Sequence, residues 1–223
     1  MKKLLSVFLL GVFFATSAFA IDLSAGGSLG YTQNWHYVTK QISSNKRKTT
    51  TSLGYINVDA FFDAQYIRLT FGPSFSAGYK KTKSKPANAT DGFDETTPNY
   101  TNLNFGILGK YPFQVGFAKI FPLAGLEMSF NISAKYNDME LRKTAGYTKQ
   151  VKNDLNHYYF VAGVGADLSI VGNFFITPTA IFGVDLRKPS NYKTTKKGIT
   201  KQSGKYSNNT FLAKITLGFG YKF

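Results

Sequence analysis

The sequence predicts an all-β chain: a transmembrane, antiparallel, up-and-down β-barrel of about eight strands. Three observations predict it. The chain opens on a leader for export, its last residues alternate between apolar and polar, and no segment after the leader is apolar over the length a membrane helix needs.

The leader comes first. Lys2 and Lys3 give a positive start, Leu4 to Phe14 an apolar core, and Ala18-Phe19-Ala20 a small-x-small cleavage site. Residues 1–20 are therefore expected to be a signal peptide, and residues 21–223 one barrel domain. The chain has no cysteine, so neither a disulfide nor a lipid-anchored cysteine is expected.

The strands follow in order. Ile21, Leu23, Ala25, Leu29 and Tyr31 alternate with Asp22, Ser24, Gly26, Ser28 and Gly30. The weakest pattern spans 52–63, where Ile56, Val58, Ala60 and Phe62 oppose Asn57 and Asp59. A third strand carries Ile67, Leu69, Phe71, Phe75, Ala77 and Tyr79; a fourth carries Leu103, Phe105, Ile107 and Tyr111. The fifth has Ile120, Ala124, Leu126, Met128, Phe130 and Ile132 opposite Glu127. The sixth runs from Tyr158 to Ile170 and the seventh from Phe174 to Leu186. In the eighth, Phe211, Ala213, Ile215, Leu217, Phe219, Tyr221 and Phe223 share one face, and Leu212 alone breaks the polar face.

Short connections are expected near 63–66, 112–118 and 171–173, and long ones near 37–51, 81–99, 134–156 and 188–209. Short turns on one side and long loops on the other are the pattern of a bacterial membrane barrel. The bulky face suits lipid, and the small polar face fits the narrow interior that eight strands leave. Aromatic residues make up 16% of the chain and cluster near strand ends, where interfacial girdles form. Pro73, Pro122 and Pro178 fall inside strands. Proline has no N–H for the ladder, so each marks either a bulge or a lateral opening.

Charge divides into two groups. The precursor carries +15, two of it on Lys2 and Lys3. The last long connection holds Arg187, Lys188, Lys193, Lys196, Lys197, Lys201 and Lys205 without an acid, and the first holds Lys40, Lys46, Arg47 and Lys48. Such loops either bind anions, for example anionic glycans or lipopolysaccharide, or only keep exposed segments soluble. The second group is expected in the lumen: Asp59, Arg68, Lys110, Glu127, Asp167, Asp185 and Lys214, with Asp22 and Lys222 as further candidates. Charges in so narrow a barrel must pair, which favours an ion-pair plug over a polar path.

Catalysis is not expected. His36 and His157 sit at the outer ends of their strands, with no serine arrangement beside them. No catalytic residue, metal site or cofactor is expected. No nucleic-acid fold signature occurs either, so no specific nucleic-acid partner is expected.

The terminal strand carries a specific motif. Thr216, Gly218, Tyr221 and Phe223 fit, residue by residue, the polar-x-Gly-x-x-aromatic-x-Phe signal of bacterial outer-membrane barrels. The chain resembles the small barrels of the OmpA, OmpX and OmpW type across residues 21–223 as architecture, with the terminal strand as its specific motif. The resemblance implies insertion by the barrel-assembly machinery and a place in outer-membrane lipid, with a monomer the favoured state. It also implies a surface role in adhesion, host-ligand binding or envelope integrity. An OmpW-like channel for small apolar molecules is the second reading, and a lipid-A-modifying barrel enzyme the third.

Overall fold

A period of two becomes a strand when both of its faces find a suitable surface, and closure of the sheet removes the edges that would otherwise stay unpaired. The computed structural model describes residues 22–42, 45–85, 99–136, 139–140, 155–187, 191–196 and 199–223. The signal-peptide expectation, residues 1–20, lies outside them, as do Lys188 and Lys197.

The strands are β1 (Leu23–Ile42), β2 (Asn45–Ala64), β3 (Ile67–Lys85), β4 (Asn99–Lys110), β5 (Phe113–Val115), β6 (Ala118–Tyr136), β7 (Met139–Glu140), β8 (His157–Ser169), β9 (Phe174–Asp185), β10 (Asn191–Lys196) and β11 (Ile199–Lys222). Eight of them form the closed barrel in the order β1-β2-β3-β4-β6-β8-β9-β11. The antiparallel pairing of β11 with β1, from Ser24↔Lys222 to Ile42↔Gly204, closes it. The short β5 and β7 pair with β6, and β10 pairs with β11.

The tight turns use left-handed backbone: Gly116 has φ 59°, Gly172 has φ 56°, and Gln65 has φ 47° between β2 and β3. The polar connections differ from the sequence expectation. The segment expected as a loop at 37–51 is largely strand: β1 and β2 stay paired up to Ile42↔Asn45. Lys193 and Lys196 likewise lie on β10, and Lys201 and Lys205 on β11, not in an irregular loop. The reason is local. Runs such as Thr49-Thr50-Thr51 are β-branched, and a hairpin rising from a rigid barrel inherits its register.

Burial is inverted relative to a soluble protein. Leu29, Val164, Ile215 and Leu217 are each more than half exposed, whereas Asp63, Arg68 and Lys214 are 1–3% exposed. An apolar belt around a charged interior is stable only where the surrounding solvent is lipid.

Each proline turns its missing N–H toward the strand that precedes it in its hairpin. The β2–β3 ladder runs to Ala60↔Phe71 and resumes at Asn57↔Ser74, stepping over Gly72-Pro73 without a change of register. The β8–β9 ladder likewise steps from Gly165↔Thr179 to Leu168↔Ile176 around Pro178. At Pro122 the carbonyl still accepts from the Tyr111 N–H at 3.3 Å, just beyond the end of β4. These are local gaps in the ladder, and the strands stay close. A Cβ at Gly72 would lie 1.9 Å from the Val58 carbonyl oxygen.

Candidate functional site

The inward rows bring the lumen charges into two layers. In the layer nearer the short turns, the hub is Asp63, the last inward residue of β2. Arg68 donates to it twice, Nε to Oδ1 and Nη2 to Oδ2, both at 2.7 Å. Lys110 Nζ reaches Asp63 Oδ2 at 2.7 Å, and Asp167 flanks both cations at 3.6 Å. Aromatic rings seal this layer. The Arg68 guanidinium lies 4.8 Å from the Phe61 centroid and 5.0 Å from that of Phe121, and Lys110 lies 4.8 Å from Phe121.

The second layer is centred on Lys214 of β11. Its ammonium sits 3.0 Å from Asp59 and 3.2 Å from Glu127. Above and around it lies an apolar cluster of Leu108, Phe121, Leu123, Tyr159, Val161, Ile181 and Leu212. Leu212, the exception in the terminal alternation, is thus an interior residue, only 1% exposed. The lumen is layered, charged and apolar by turns, where the sequence reading expected ion pairs among small polar residues and no apolar layer.

Asp185 does not join these layers. It sits at the outer end of β9, where His157 Nδ1 lies 2.8 Å and Arg187 Nη2 2.7 Å from its Oδ2. The His36 ring stands 5.2 Å from that of His157, with His36 Nδ1 3.0 Å from the Thr210 hydroxyl. Asp22, the other outlying candidate, is at the opposite end. Lys119 bonds it at 2.8 Å and holds its carboxyl below the usual range. Lys222 lies over the Phe175 ring at 5.3 Å.

Sequence reasoning missed Asp63, His157 and Arg187 as charge partners. The signal for Asp63 was present: it continues the odd-numbered inward positions Asn57, Asp59 and Phe61. The aromatic Phe61 interrupted the polar pattern and hid it.

Two cavities of about 20 Å³ each interrupt this packing. One is bounded by Asp59, Glu127 and Lys214, the other by Asn34, Asn57 and Tyr159. Each has room for about one water. A larger groove of about 490 Å³ lies beside Pro122, bordered by Tyr66, Tyr111 and Ala124. Tyr111 and Ala124 are lipid-facing, so this groove opens outward.

The terminal motif has a defined place too. Thr216 hydrogen-bonds to Thr179 inside the barrel, and Gly218 lies against Phe61 and Thr177. Tyr221 packs edge-on to Phe174, with ring centroids 5.1 Å apart. Phe223 donates its N–H to the Leu23 carbonyl at 2.9 Å, and its ring is 75% exposed. The match of this residue to the assembly signal yields an expectation. Phe223→Ser is expected to leave secretion intact and to abolish heat-modifiable, membrane-inserted protein. Normal amounts of inserted protein, read by shifted mobility in unheated gels, would refute this.

No protein-family model and no curated protein matches the sequence. Solved structures do. The outer membrane protein OprG from Pseudomonas aeruginosa superposes with a TM-score of 0.51 at 11% identity, covering 91% of this chain and 96% of that one. The outer membrane protease OmpT from Escherichia coli gives 0.50 at 11% identity, covering 91% and 97%. The chain has the fold of the outer-membrane β-barrels. At this identity the likeness concerns the fold alone, and OmpT's protease activity stays with OmpT. The barrel's own chemistry agrees with the fold: a lipid-facing apolar belt, short turns at one end and extended hairpins at the other.

Proposed function

We propose that this protein is a closed outer-membrane barrel that displays a basic extracellular surface for attachment to anionic partners, in adhesion or host-ligand binding. The observation that carries the reading is the filled lumen. Arg68, Lys110 and Lys214 are committed to buried carboxylates, and an apolar cluster adjoins them, so the interior is a scaffold and the function is borne outside. A passage for small apolar molecules would need a path through this packing, and the groove beside Pro122 faces lipid. The protein is read as a binding barrel with no enzymatic activity.

The attachment surface is the β10–β11 hairpin. Residues 186–209 contain Arg187, Lys188, Lys193, Lys196, Lys197, Lys201 and Lys205 and no acid. Clustered cations on a hairpin attract polyanions over about a Debye length, roughly 8 Å at physiological salt. The full-length protein in detergent is expected to be retained on immobilised heparin and to elute with salt. Replacing Lys193, Lys196, Lys197 and Lys201 with Gln should move elution to much lower salt. Unchanged elution would reduce these charges to solvation of an exposed hairpin.

A further inference from the structure

The outer mouth of the barrel holds a cluster that the charge layers below it do not use. His36 of β1, His157 of β8, Asp185 of β9 and Arg187, just beyond β9, meet there. One atom of this cluster has two partners. His157 Nδ1 lies 2.7 Å from Arg187 Nη2 and 2.8 Å from Asp185 Oδ2. A guanidinium can only donate and a carboxylate can only accept. The Arg187 contact is therefore a hydrogen bond when Nδ1 is a bare lone pair, and the Asp185 contact when Nδ1 carries a proton. One nitrogen cannot serve both at once. The bare form fits the geometry better, because Arg187 Nη2 also lies 2.7 Å from Asp185 Oδ2. Its two protons then serve the oxygen and the ring nitrogen together.

The groups around the two imidazoles set what a proton does there. Asp185 is committed to Arg187, whose Nε donates to its oxygens at 3.1 and 2.9 Å and whose backbone N–H donates to Oδ1 at 2.9 Å. The His36 ring is 5.2 Å from that of His157 and bonds the Thr210 hydroxyl of β11 at 3.0 Å. Opposite His36, β2 presents Thr51, and opposite His157, β6 presents Ser129. Tyr159 stacks on His157 at 5.6 Å, and Glu127 on β6 is bound to Lys214. Asp154, three positions before His157, lies outside the described residues. A proton on His157 Nδ1 would point at the Arg187 cation 2.7 Å away, and one on His36 would add a further cation beside them. The His157 and Asp185 side chains are only 14% and 3% exposed, so water screens these charges poorly.

We propose that His157 and His36 form a proton-operated latch at the outer mouth, one that holds Arg187 while both rings are neutral and releases it when they take protons. Arg187 stands at the root of the basic stretch 186–209, so the latch fixes where that stretch leaves the barrel. Once protonated, His157 turns its N–H to Asp185, and Arg187 Nη2 loses its place on both atoms. A proton on His36 drives the same release by repulsion. The sign follows from linkage. The released state binds protons more readily than the latched one, so the latch holds above the ordinary imidazole range, near pH 6.5, and is lost as pH falls through it. The inference goes beyond the attachment reading and stands whether or not the hairpin binds polyanions.

Nuclear magnetic resonance of the refolded full chain in detergent micelles tests the latch, and with two histidines in the chain the imidazole signals are readily assigned. At about pH 7.5 the nitrogen shifts should show His157 with Nδ1 bare and Nε2 protonated. Two backbone N–H groups report release: Leu186, which donates to the Tyr158 carbonyl at 2.7 Å, and Arg187, which donates to Asp185. Their hydrogen-exchange protection, corrected for the intrinsic rate, should fall about tenfold or more between about pH 7.5 and about pH 5. One imidazole freed to titrate at its ordinary value shifts the balance by up to roughly 30-fold at that lower pH. H157Q, whose amide offers Arg187 an acceptor and Asp185 a donor at every pH, should lose most of the fall. H36N should move its midpoint to higher pH, and D154N should keep it. A proton on His157 Nδ1 at about pH 7.5, or protection that does not change with pH, would overturn the proposal. So would an equal fall in folded H157Q, an unmoved midpoint in H36N, or loss of the fall in D154N. If the variants do not fold, the tautomer and the exchange of the unaltered protein decide alone.

Discussion

Asp63→Ala is expected to destabilise the barrel by about 3–5 kcal/mol, the range for removing one partner from a buried ion pair. Asp63 takes three short bonds from two cations, and both cations are nearly excluded from solvent. Without it, Arg68 and Lys110 share only Asp167, at 3.6 Å from each. Equilibrium unfolding in urea from lipid vesicles measures the loss. Adding Lys110→Met should recover part of it, because one uncompensated cation is then gone. A loss below about 1 kcal/mol would mean that water or lipid phosphate reaches the layer and solvates the cations.

Lys214→Ala inverts the sign of the defect and should cost a similar amount, about 3–5 kcal/mol. Here two carboxylates, Asp59 and Glu127, lose their only described ion-pair partner, and their side chains are 3% and 7% exposed. They would then repel each other across the cavity they border. The triple change Lys214→Met, Asp59→Asn and Glu127→Gln removes the charges together and should return most of the stability. If the triple variant is as unstable as the single one, the lysine acts through packing and the ion layer is not what holds this level of the lumen together.

Strand number, direction and lipid-facing rows were legible in the sequence because alternation is a local property. Leu29, Val164 and Ile215 face lipid as their spacing requires. Two kinds of information were not local. The first is cross-lumen pairing. Lys214 meets Asp59 and Glu127 because closure brings β11, β2 and β6 around one axis, and no spacing along the chain encodes that. The second is the fate of polar hairpins. Composition reads Thr49-Thr50-Thr51 and the lysines around it as loop, yet a paired strand costs little once the barrel below has fixed its register. Interior aromatics hid the remainder. Phe61, Phe121 and Phe175 lie inward as rings over buried cations or against one another, in rows that a polar-inside rule assigns to small residues. The residues of the terminal strand were legible as a motif, because a motif is a spacing along the chain and needs no cross-lumen partner.

Charge layers and an apolar cluster close the lumen. Ion conductance of the refolded full chain across a planar lipid bilayer measures that closure. A closed lumen predicts protein insertion without conductance steps at any applied voltage the bilayer withstands. Stable, uniform conductance steps from the unaltered protein would show an open lumen, since ions would then be crossing the layers built on Asp63 and Lys214.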